Sequence, residues 1–547
     1  MAFPLRHTGR LACLVPRSAM HSRQAGVMGA MMRLSGLVLL VCAVVASPDL
    51  AAHEPSCTAQ SVRAVVHPPL HIEGAVHVRG SSAEPAYCRI TGFIEHGTRI
   101  GIEFALPDAW NKKILFLGRG GFAGAVERPT IPSDLPVVYG AIRGYATGTT
   151  DTGHQSATVE DATWASNSAA VINHFEVGVE LAANALKAIA AAYYEAVPQY
   201  AYFQGCSGGG RQGLVEAERF PDTFDGVIVG APAWNYIHLF LDLAERAKRV
   251  IEQPEAWIPP GTLQAIDRLV MQQCDRLDGL EDGIVMDPRV CHPDLAALAC
   301  KTGRDGGRCL TSAQESLLEQ LLHARYATAG SGYFGLRLTG SDAGAWVSWV
   351  FGQQRPTLTD EAGTTYDTAA AKMAAGFLSY VVMNNPRYDW RRVDAEKDTA
   401  ALDRRLGELL NADQTDLSRF VRRGGKLLIW HGWSDAAIPP EMSIDLYDRI
   451  FRDTHGAAAG ERLEQSVRLF MVPGLEHCFG GPGLTQFDAL SAMEGWVERG
   501  RAPDLLIAAR GKAGEHVVTR PLCRYPQRAR YRGSGSKDSA DAFECRS

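Results

Sequence analysis

No stretch of the sequence reaches the roughly eighteen uninterrupted apolar residues that a membrane-spanning helix needs. No dense block of Lys and Arg occurs beyond the first fifty residues and the formal net charge is −6, so the charge pattern does not favour nucleic-acid binding. Internal repeats and low-complexity tracts are also absent, which excludes collagen-like and coiled-coil classes. What is present is 46% apolar and 21% charged residues over 547 positions, which predicts a globular protein with a large core and a small-molecule partner.

Residues 1–52 are predicted to be a secretory leader that is removed. Arg33 precedes an apolar run over 37–46 that ends in small residues, and cleavage is expected near Ala46 or Ala52. The run is short for a membrane span. The mature protein is therefore expected to be secreted or periplasmic, without a membrane partner.

Ten of the twelve cysteines lie beyond the leader. An oxidising compartment and an even number favour disulfides over buried free thiols, and the absence of a C-x-x-C pair disfavours zinc. Short spacings suggest four pairs and leave Cys206 and Cys478 for each other. The predicted disulfides are Cys57–Cys88, Cys206–Cys478, Cys274–Cys291, Cys300–Cys309 and Cys523–Cys545.

Short apolar runs alternate with helical patterns in two blocks of the chain, which predicts a parallel sheet flanked by helices. The first block begins near Ile100. The predicted strands are 113–117, 200–204, 426–430 and 467–472, and the predicted helices are 179–195, 211–219, 443–451 and 487–499. Residues 235–419 have irregular periodicity, which predicts a lid domain inserted between core segments 53–234 and 420–547.

The segment Gly205-Cys-Ser-Gly-Gly209 matches the G-x-S-x-G pattern of a nucleophile elbow. It lies between a predicted strand and a predicted helix, a context in which the serine is exposed at a sharp turn and the helix N-terminus faces the oxyanion. Ser207 is therefore the predicted nucleophile, and Gly208 N–H a predicted oxyanion donor. The alternative is an ordinary glycine-rich turn.

A serine nucleophile needs a histidine base and an orienting carboxylate, which follow later strands in this architecture. Asp435 follows the strand 426–430, and His477 follows the strand 467–472. His431 and Glu476 are the local competitors for these roles. A Cys206 nucleophile fits poorly with an oxidising compartment.

The second oxyanion donor is expected from the glycine-rich loop 118–124, which follows the strand 113–117. Gly120 and Gly121 are both candidates, and the sequence does not choose between them.

Three segments, GCSGGGRQG at 205–213, HGWSDAAIPP at 431–440 and VPGLEHCFGGPG at 472–483, resemble the tannase and feruloyl esterase family of α/β hydrolases. The resemblance implies an α/β-hydrolase fold with a large lid between nucleophile and catalytic Asp, and serine carboxylesterase chemistry. Family members join the cysteines beside the catalytic Ser and His. Their substrates include gallate and hydroxycinnamate esters and mono(2-hydroxyethyl) terephthalate.

The stretch 274–284 concentrates carboxylates and glycines, which suits either Ca²⁺ or a solvated acidic turn. The family resemblance implies a structural calcium site in the lid. Its carboxylate ligands would be Asp275, Asp278 and Asp282, and its backbone carbonyl ligands would be Leu280 and Ile284.

Aromatic side chains of the predicted lid are candidate substrate contacts, although most such residues form cores. They are Trp346, Trp349, Phe351, Phe377 and Tyr380. Ser379 stands where the family often has an arginine, so a carboxylate-binding role at that position is in doubt. Arg119, Lys372 and Arg211 are possible substitutes.

The sequence as a whole predicts a serine esterase that cleaves feruloyl or galloyl esters, or a terephthalate monoester, through an acyl-enzyme. A serine peptidase and a catalytically silent binding protein on the same fold are the rival interpretations. An intact triad argues against the second rival.

Overall fold

The computed structural model describes residues 56–62, 67–126, 135–301, 307–323, 334–356, 368–511 and 516–547. The predicted leader, residues 1–52, lies outside these ranges. All elements below belong to the compact unit Glu54–Ser547. Across the described ranges, no helix combines the length and the apolar character needed to cross a membrane.

Within the described ranges, the strands form one large sheet and two small ones. The large sheet contains β1 (Leu70–Val78), β2 (Tyr87–His96), β3 (Thr98–Pro107), β4 (Lys113–Leu117), β5 (Ala146–Thr150), β6 (Tyr200–Cys206), β7 (Gly226–Gly230), β8 (Lys426–Gly432) and β9 (Val467–Val472). The small sheets contain β10 (Gln486–Phe487), β11 (Leu505–Arg510) and β12 (Val518–Cys523), and then β13 (Arg528–Tyr531) and β14 (Phe543–Arg546).

The helices surround the large sheet and fill the chain between β7 and β8. They are α1 (Val138–Ile142), α2 (Ser168–Ile172), α3 (Gly178–Tyr193), α4 (Gly208–Arg219), α5 (Tyr236–Glu252), α6 (Pro260–Cys274), α7 (Ser312–Leu322), α8 (Ala343–Trp346), α9 (Ala369–Gly376), α10 (Ala395–Leu402), α11 (Glu408–Leu410), α12 (Ser418–Arg422), α13 (Glu441–Asp453), α14 (Glu461–Glu464) and α15 (Ala489–Arg499). Wider helical turns continue α8 over Val347–Phe351 and α9 over Phe377–Val382.

The strand order of the large sheet is β1-β2-β3-β5-β4-β6-β7-β8-β9. Neighbouring strands are parallel along the run β5-β4-β6-β7-β8-β9. They are antiparallel along the run β1-β2-β3-β5. The prediction of parallel pairing from Ile100 onward is therefore wrong for β3. Gly97, at φ 68°, turns β3 directly back along β2 in a hairpin, which makes their pairing antiparallel.

The predicted elements of the two blocks are present, with small differences at their ends. Strand β9 has the predicted bounds. Helix α15 begins at Ala489 rather than at Phe487, because the Asp488 side chain caps it by accepting a hydrogen bond from Ser491 N–H. Helix α4 begins earlier than predicted, at Gly208, directly after the turn residue Ser207.

The segment 235–419 contributes no strand to the large sheet within its described residues. It folds mainly as helices, several of which enclose an apolar cluster that includes Val250, Leu317, Trp346 and Phe351. The segment enters after β7 and leaves before β8, between Ser207 and Asp435 in the chain. Its function as a lid stays a prediction.

Candidate active site

Ser207 occupies the turn between β6 and α4. Its backbone adopts φ 61° and ψ −121°, a conformation that is costly for a residue with a Cβ atom. Ser207 N–H donates to the Gly230 carbonyl at 2.9 Å, and the Ser207 carbonyl accepts from Arg211 N–H at 3.0 Å. The neighbouring strand and the first turn of α4 thus hold the serine in this strained position.

The glycines of the elbow allow close approach of backbone segments. A Cβ atom on Gly208 would lie 2.3 Å from the Gly121 carbonyl oxygen, and one on Gly205 would lie 2.6 Å from the Gly209 carbonyl oxygen. Neither contact is possible for another residue type without displacing backbone. The loop after β4 therefore abuts the first residue of α4.

Three predicted site residues form one hydrogen-bonded chain. His477 Nε2 lies 2.9 Å from Ser207 Oγ, and His477 Nδ1 lies 2.7 Å from Asp435 Oδ2. These residues follow β6, β8 and β9, which are parallel, so their loops meet at the carboxyl edge of the sheet. The arrangement can deprotonate the serine hydroxyl for attack on a carbonyl carbon.

The Asp435 carboxylate is fully buried and fully hydrogen-bonded. Its Oδ1 accepts from the N–H groups of Ala437 and Ile438 at 2.8 and 2.9 Å. Its Oδ2 accepts from His477 and lies 3.1 Å from His431 Nε2. Burial acts to raise the Asp435 pKa, but the two histidines outweigh it and hold that pKa well below its ordinary value. Asp435 is therefore ionised wherever the protein is folded near neutral pH.

The competitors for the base do not reach the serine. The ring nitrogens of His431 contact Asp435, Ile438 and Ser443, all away from Ser207. The Glu476 carboxyl is half-buried beside α8, and burial together with Asp267 and Asp435 raises its pKa to about 7. The sequence pattern indicates His431 only as an alternative base and does not predict its contact with Asp435, although the four-residue spacing between the two residues is a signal for it.

The structure contains disulfides at all five predicted pairs. Cys206–Cys478 spans 272 positions and joins the residue before Ser207 to the residue after His477. The nucleophile turn and the histidine loop are thus covalently linked, and neither can move independently. A thiol nucleophile at Cys206 is excluded while this bond is intact.

The loop after β4 has a main-chain N–H group available at Gly121. The N–H groups of Gly118, Arg119 and Phe122 donate to Gln204, Gln212 and Val159. Gly121 N–H has no acceptor within the described parts of the chain, and the Gly120 carbonyl accepts from Ala123 N–H. Gly121, whose N–H is available and whose carbonyl lies against Gly208, is therefore a candidate oxyanion donor together with Gly208 N–H.

Among the candidate aromatic residues, Trp349 lies at the triad. Its ring centroid is 5.3 Å from that of His477, in an edge-to-face arrangement. Trp346, Phe351 and Phe377 are buried core residues, whereas Tyr380 is partly buried.

The three basic residues that are possible substitutes for a carboxylate-binding arginine at the position of Ser379 lie in different environments. Arg211 is buried, and its guanidinium donates to the carbonyls of Phe175, Leu409 and Leu410. The buried Arg119 donates to Thr149 and Val126, and Lys372 is exposed. Of these three possible substitutes, Arg211 has its Nε and Nη2 donors engaged with backbone carbonyls, so these atoms are not available to a substrate carboxylate.

The loop 275–284 brings three carboxylates into mutual electrostatic range. Burial and the charges of Asp282 and Asp275 raise the pKa of Asp278 to about 7. Asp282 Oδ2 accepts from Arg520, whereas its buried Oδ1 has no hydrogen-bond donor within the described ranges. Asp275 accepts from the N–H groups of Asp282, Gly283 and Ile284.

The donor set of this loop fits a hard cation, although the side chains do not converge as placed. No three His, Cys, Asp or Glu side chains of the described residues are gathered as a metal-binding group. The carbonyls of Leu280 and Ile284 accept no hydrogen bond within those ranges. Oxygen atoms of these kinds, with an orphaned carboxylate oxygen among them, are what Ca²⁺ takes as ligands.

Comparison with known proteins identifies the family. The family model described as tannase and feruloyl esterase matches residues 88–546. An esterase of Xanthomonas campestris pv. campestris is 32% identical, with 94% of this chain and 96% of that protein aligned. The mono(2-hydroxyethyl) terephthalate hydrolase of Piscinibacter sakaiensis is 30% identical over 86% of this chain and 87% of its own.

The fold agrees with a solved member of the same family. The crystal structure of feruloyl esterase B from Aspergillus oryzae superposes with a TM-score of 0.77 at 27% identity, covering 88% of this chain and 97% of the other. The mixed sheet described above is therefore an α/β-hydrolase sheet. The chain belongs to the tannase and feruloyl esterase family of carboxylic ester hydrolases.

Proposed function

We infer that this protein is a secreted serine esterase that cleaves feruloyl, other hydroxycinnamoyl or galloyl esters. The observation that carries the inference is the continuous hydrogen-bond chain from Asp435 through His477 to Ser207 Oγ. Five disulfides in one chain support a location outside the cytoplasm.

The reaction follows from the roles of these groups. Ser207 Oγ attacks the ester carbonyl carbon while His477 Nε2 takes its proton, and Asp435 stabilises the imidazolium. The N–H groups of Gly208 and Gly121 bind the oxyanion of the tetrahedral intermediate. His477 then protonates the leaving alcohol, and water hydrolyses the acyl-enzyme with the same base.

Trp349 supports an aromatic acyl group, because an aromatic ring beside the catalytic histidine offers a flat apolar surface to the acid part of the substrate. The buried Ser379 and the engagement of Arg211 with backbone carbonyls favour an acyl group without a free carboxylate. The alternative is a terephthalate monoester, the substrate named for the relative from Piscinibacter sakaiensis.

The loop 275–284 is proposed to hold a structural Ca²⁺ through Asp275, Asp278 and Asp282 and the carbonyls of Leu280 and Ile284. A bound cation would neutralise carboxylates that raise each other's pKa and would supply a partner for Asp282 Oδ1. The ion has no part in activating Ser207.

The experiment measures acid release from methyl ferulate, methyl gallate and mono(2-hydroxyethyl) terephthalate by the chain without its leader, produced under oxidising conditions. Ser207→Ala is measured in parallel, with Ser348→Ala, an exposed serine beside Trp349, as the matched control. We expect turnover of ferulate or gallate that is lost in Ser207→Ala and kept in Ser348→Ala.

Faster turnover of mono(2-hydroxyethyl) terephthalate than of methyl ferulate and methyl gallate would show that the substrate class is a terephthalate monoester and not a feruloyl or galloyl ester. No turnover of any of the three esters by folded protein would overturn the proposed substrates, and activity that survives Ser207→Ala would overturn the nucleophile.

A further inference from the structure

His431, at the end of β8, makes polar contacts that esterase chemistry as described does not use. Its side chain is fully buried. Nε2 lies 3.1 Å from Asp435 Oδ2 and 3.0 Å from the Ile438 carbonyl oxygen, and Nδ1 lies 2.7 Å from Ser443 Oγ on α13. Every polar atom of the ring therefore has a partner.

These partners determine the tautomer of His431. A carboxylate and a carbonyl only accept hydrogen bonds, so the nitrogen between them, Nε2, carries the proton. In the neutral imidazole Nδ1 is then an acceptor, and the Ser443 hydroxyl donates to it. Asp435 Oδ2 consequently receives two ring N–H groups, one from each histidine.

We propose that His431 is a positioning residue for the triad: its Nε2–H holds Asp435 Oδ2 where that oxygen accepts His477 Nδ1–H, and the Ser443 hydroxyl, by donating to Nδ1, stabilises the tautomer that this contact requires. The proposal rests on the proposed roles of Asp435, His477 and Ser207.

The four hydrogen bonds to Asp435 explain why a second histidine matters. Two main-chain N–H groups bind Oδ1, and the two rings bind Oδ2. Loss of the His431 donor leaves Oδ2 bound on one side only and able to move. Without His431, the His477 ring is, among the described residues, the one side-chain donor to the Asp435 carboxylate, whose negative charge then stabilises the His477 imidazolium more strongly. The acid limb of kcat/KM therefore moves to higher pH.

Other groups near His477 affect the same pH profile. Glu476 adjoins it in sequence, and burial together with Asp267 and Asp435 raises the pKa of Glu476 to about 7, whereas Trp349 and Ser207 carry no charge. The profiles are therefore measured in a Glu476→Gln background as well as in the unmodified chain.

The experiment compares His431→Leu with His431→Gln, whose amide retains an N–H donor. For the ester that the protein hydrolyses, we expect His431→Leu to lower kcat about tenfold to a hundredfold, the effect of losing a hydrogen bond to a charged group, with KM nearly unchanged. We expect its acid limb to move to higher pH, and His431→Gln to recover most of kcat and the original limb.

Ser443→Ala keeps the ring and tests the tautomer with a smaller change. We expect a smaller loss of kcat and a shift of the acid limb in the same direction. If His431→Leu does not fold, Ser443→Ala provides the test of the positioning role of His431. Equal losses of kcat in His431→Leu and His431→Gln would overturn the proposal, as would an unchanged acid limb of kcat/KM in Ser443→Ala. Activity in Ser207→Ala would instead overturn the assignment of the triad.

Discussion

A disulfide joins Cys206 to Cys478, and the residues beside these cysteines, Ser207 and His477, are hydrogen-bonded to each other at 2.9 Å. The covalent bond and the catalytic hydrogen bond thus connect the same two loops. Because general-base catalysis depends on this distance, we expect the disulfide to affect the rate of turnover as well as stability.

Removal of this disulfide is expected to reduce turnover. The double variant Cys206→Ala/Cys478→Ala should lower kcat roughly tenfold to a hundredfold, because its two loops become free to separate. Cys523→Ala/Cys545→Ala, which removes a disulfide remote in sequence from the triad, is the control. Steady-state kinetics at a temperature where both variants are folded measure the effect, and equal kcat losses in the two variants would contradict it.

Gly208→Ala should impair transition-state stabilisation. Its Cβ atom would meet the Gly121 carbonyl oxygen and displace the loop whose N–H group completes the oxyanion site. We expect kcat to fall about a hundredfold or more, the usual effect of losing an oxyanion donor, with little change in KM. Gly495→Ala in α15 meets only the end of the Arg499 side chain, and should keep full activity and a slightly higher Tm.

Glu476 should make stability depend on pH. Its pKa is raised from 4.5 to about 7 in the folded protein, so the folded state holds a proton that the unfolded chain has already released. Its contribution to stability therefore falls as pH rises through this interval. We expect Glu476→Gln to raise Tm at about pH 8 and to leave it unchanged at about pH 4.

Thermal unfolding at both pH values measures this effect. The exposed Glu461 provides the control, because Glu461→Gln should show no such difference. A Glu476→Gln variant whose Tm changes equally at both pH values would refute the assignment.

Calcium removal should destabilise the protein more than it alters the chemistry. A ligand that binds only the folded state raises stability by mass action, so chelation should lower Tm by several degrees. Asp278→Asn should abolish the difference between chelated and calcium-loaded protein. Glu281→Gln, an exposed acidic residue of the same loop, should retain it. Identical melting temperatures with and without chelator would contradict the proposed calcium site in the loop 275–284.

Trp349→Ala should reduce preference for aromatic acids. We expect kcat/KM for methyl ferulate to fall about fivefold to tenfold, the contribution of one aromatic pair, with a smaller change for an acetyl ester that has no ring to contact. The ratio of the two kcat/KM values is the measurement. A ratio that is the same in Trp349→Ala as in the unmodified protein would show that the acyl group does not contact Trp349.

Local patterns in the chain were enough to predict the site residues that the structure gathers at Ser207. A strand pattern followed by Gly-x-Ser-x-Gly and a helical pattern favours a sharp turn that exposes the serine, and Asp435 and His477 each follow an apolar strand pattern. Parallel strands end at one edge of a sheet, so residues far apart in sequence could be expected to meet there.

Spatial relations between remote segments were not readable from such patterns. The contact of Trp349 with His477, the contacts of Arg211 with backbone carbonyls and the hydrogen bond from Ser443 to His431 join residues that are brought together by packing. Periodicity and turn chemistry describe what a segment becomes on its own scale, whereas the choice among equivalent tryptophans, arginines or glycines depends on which of them the folded sheet and helices bring within a few ångströms of the serine.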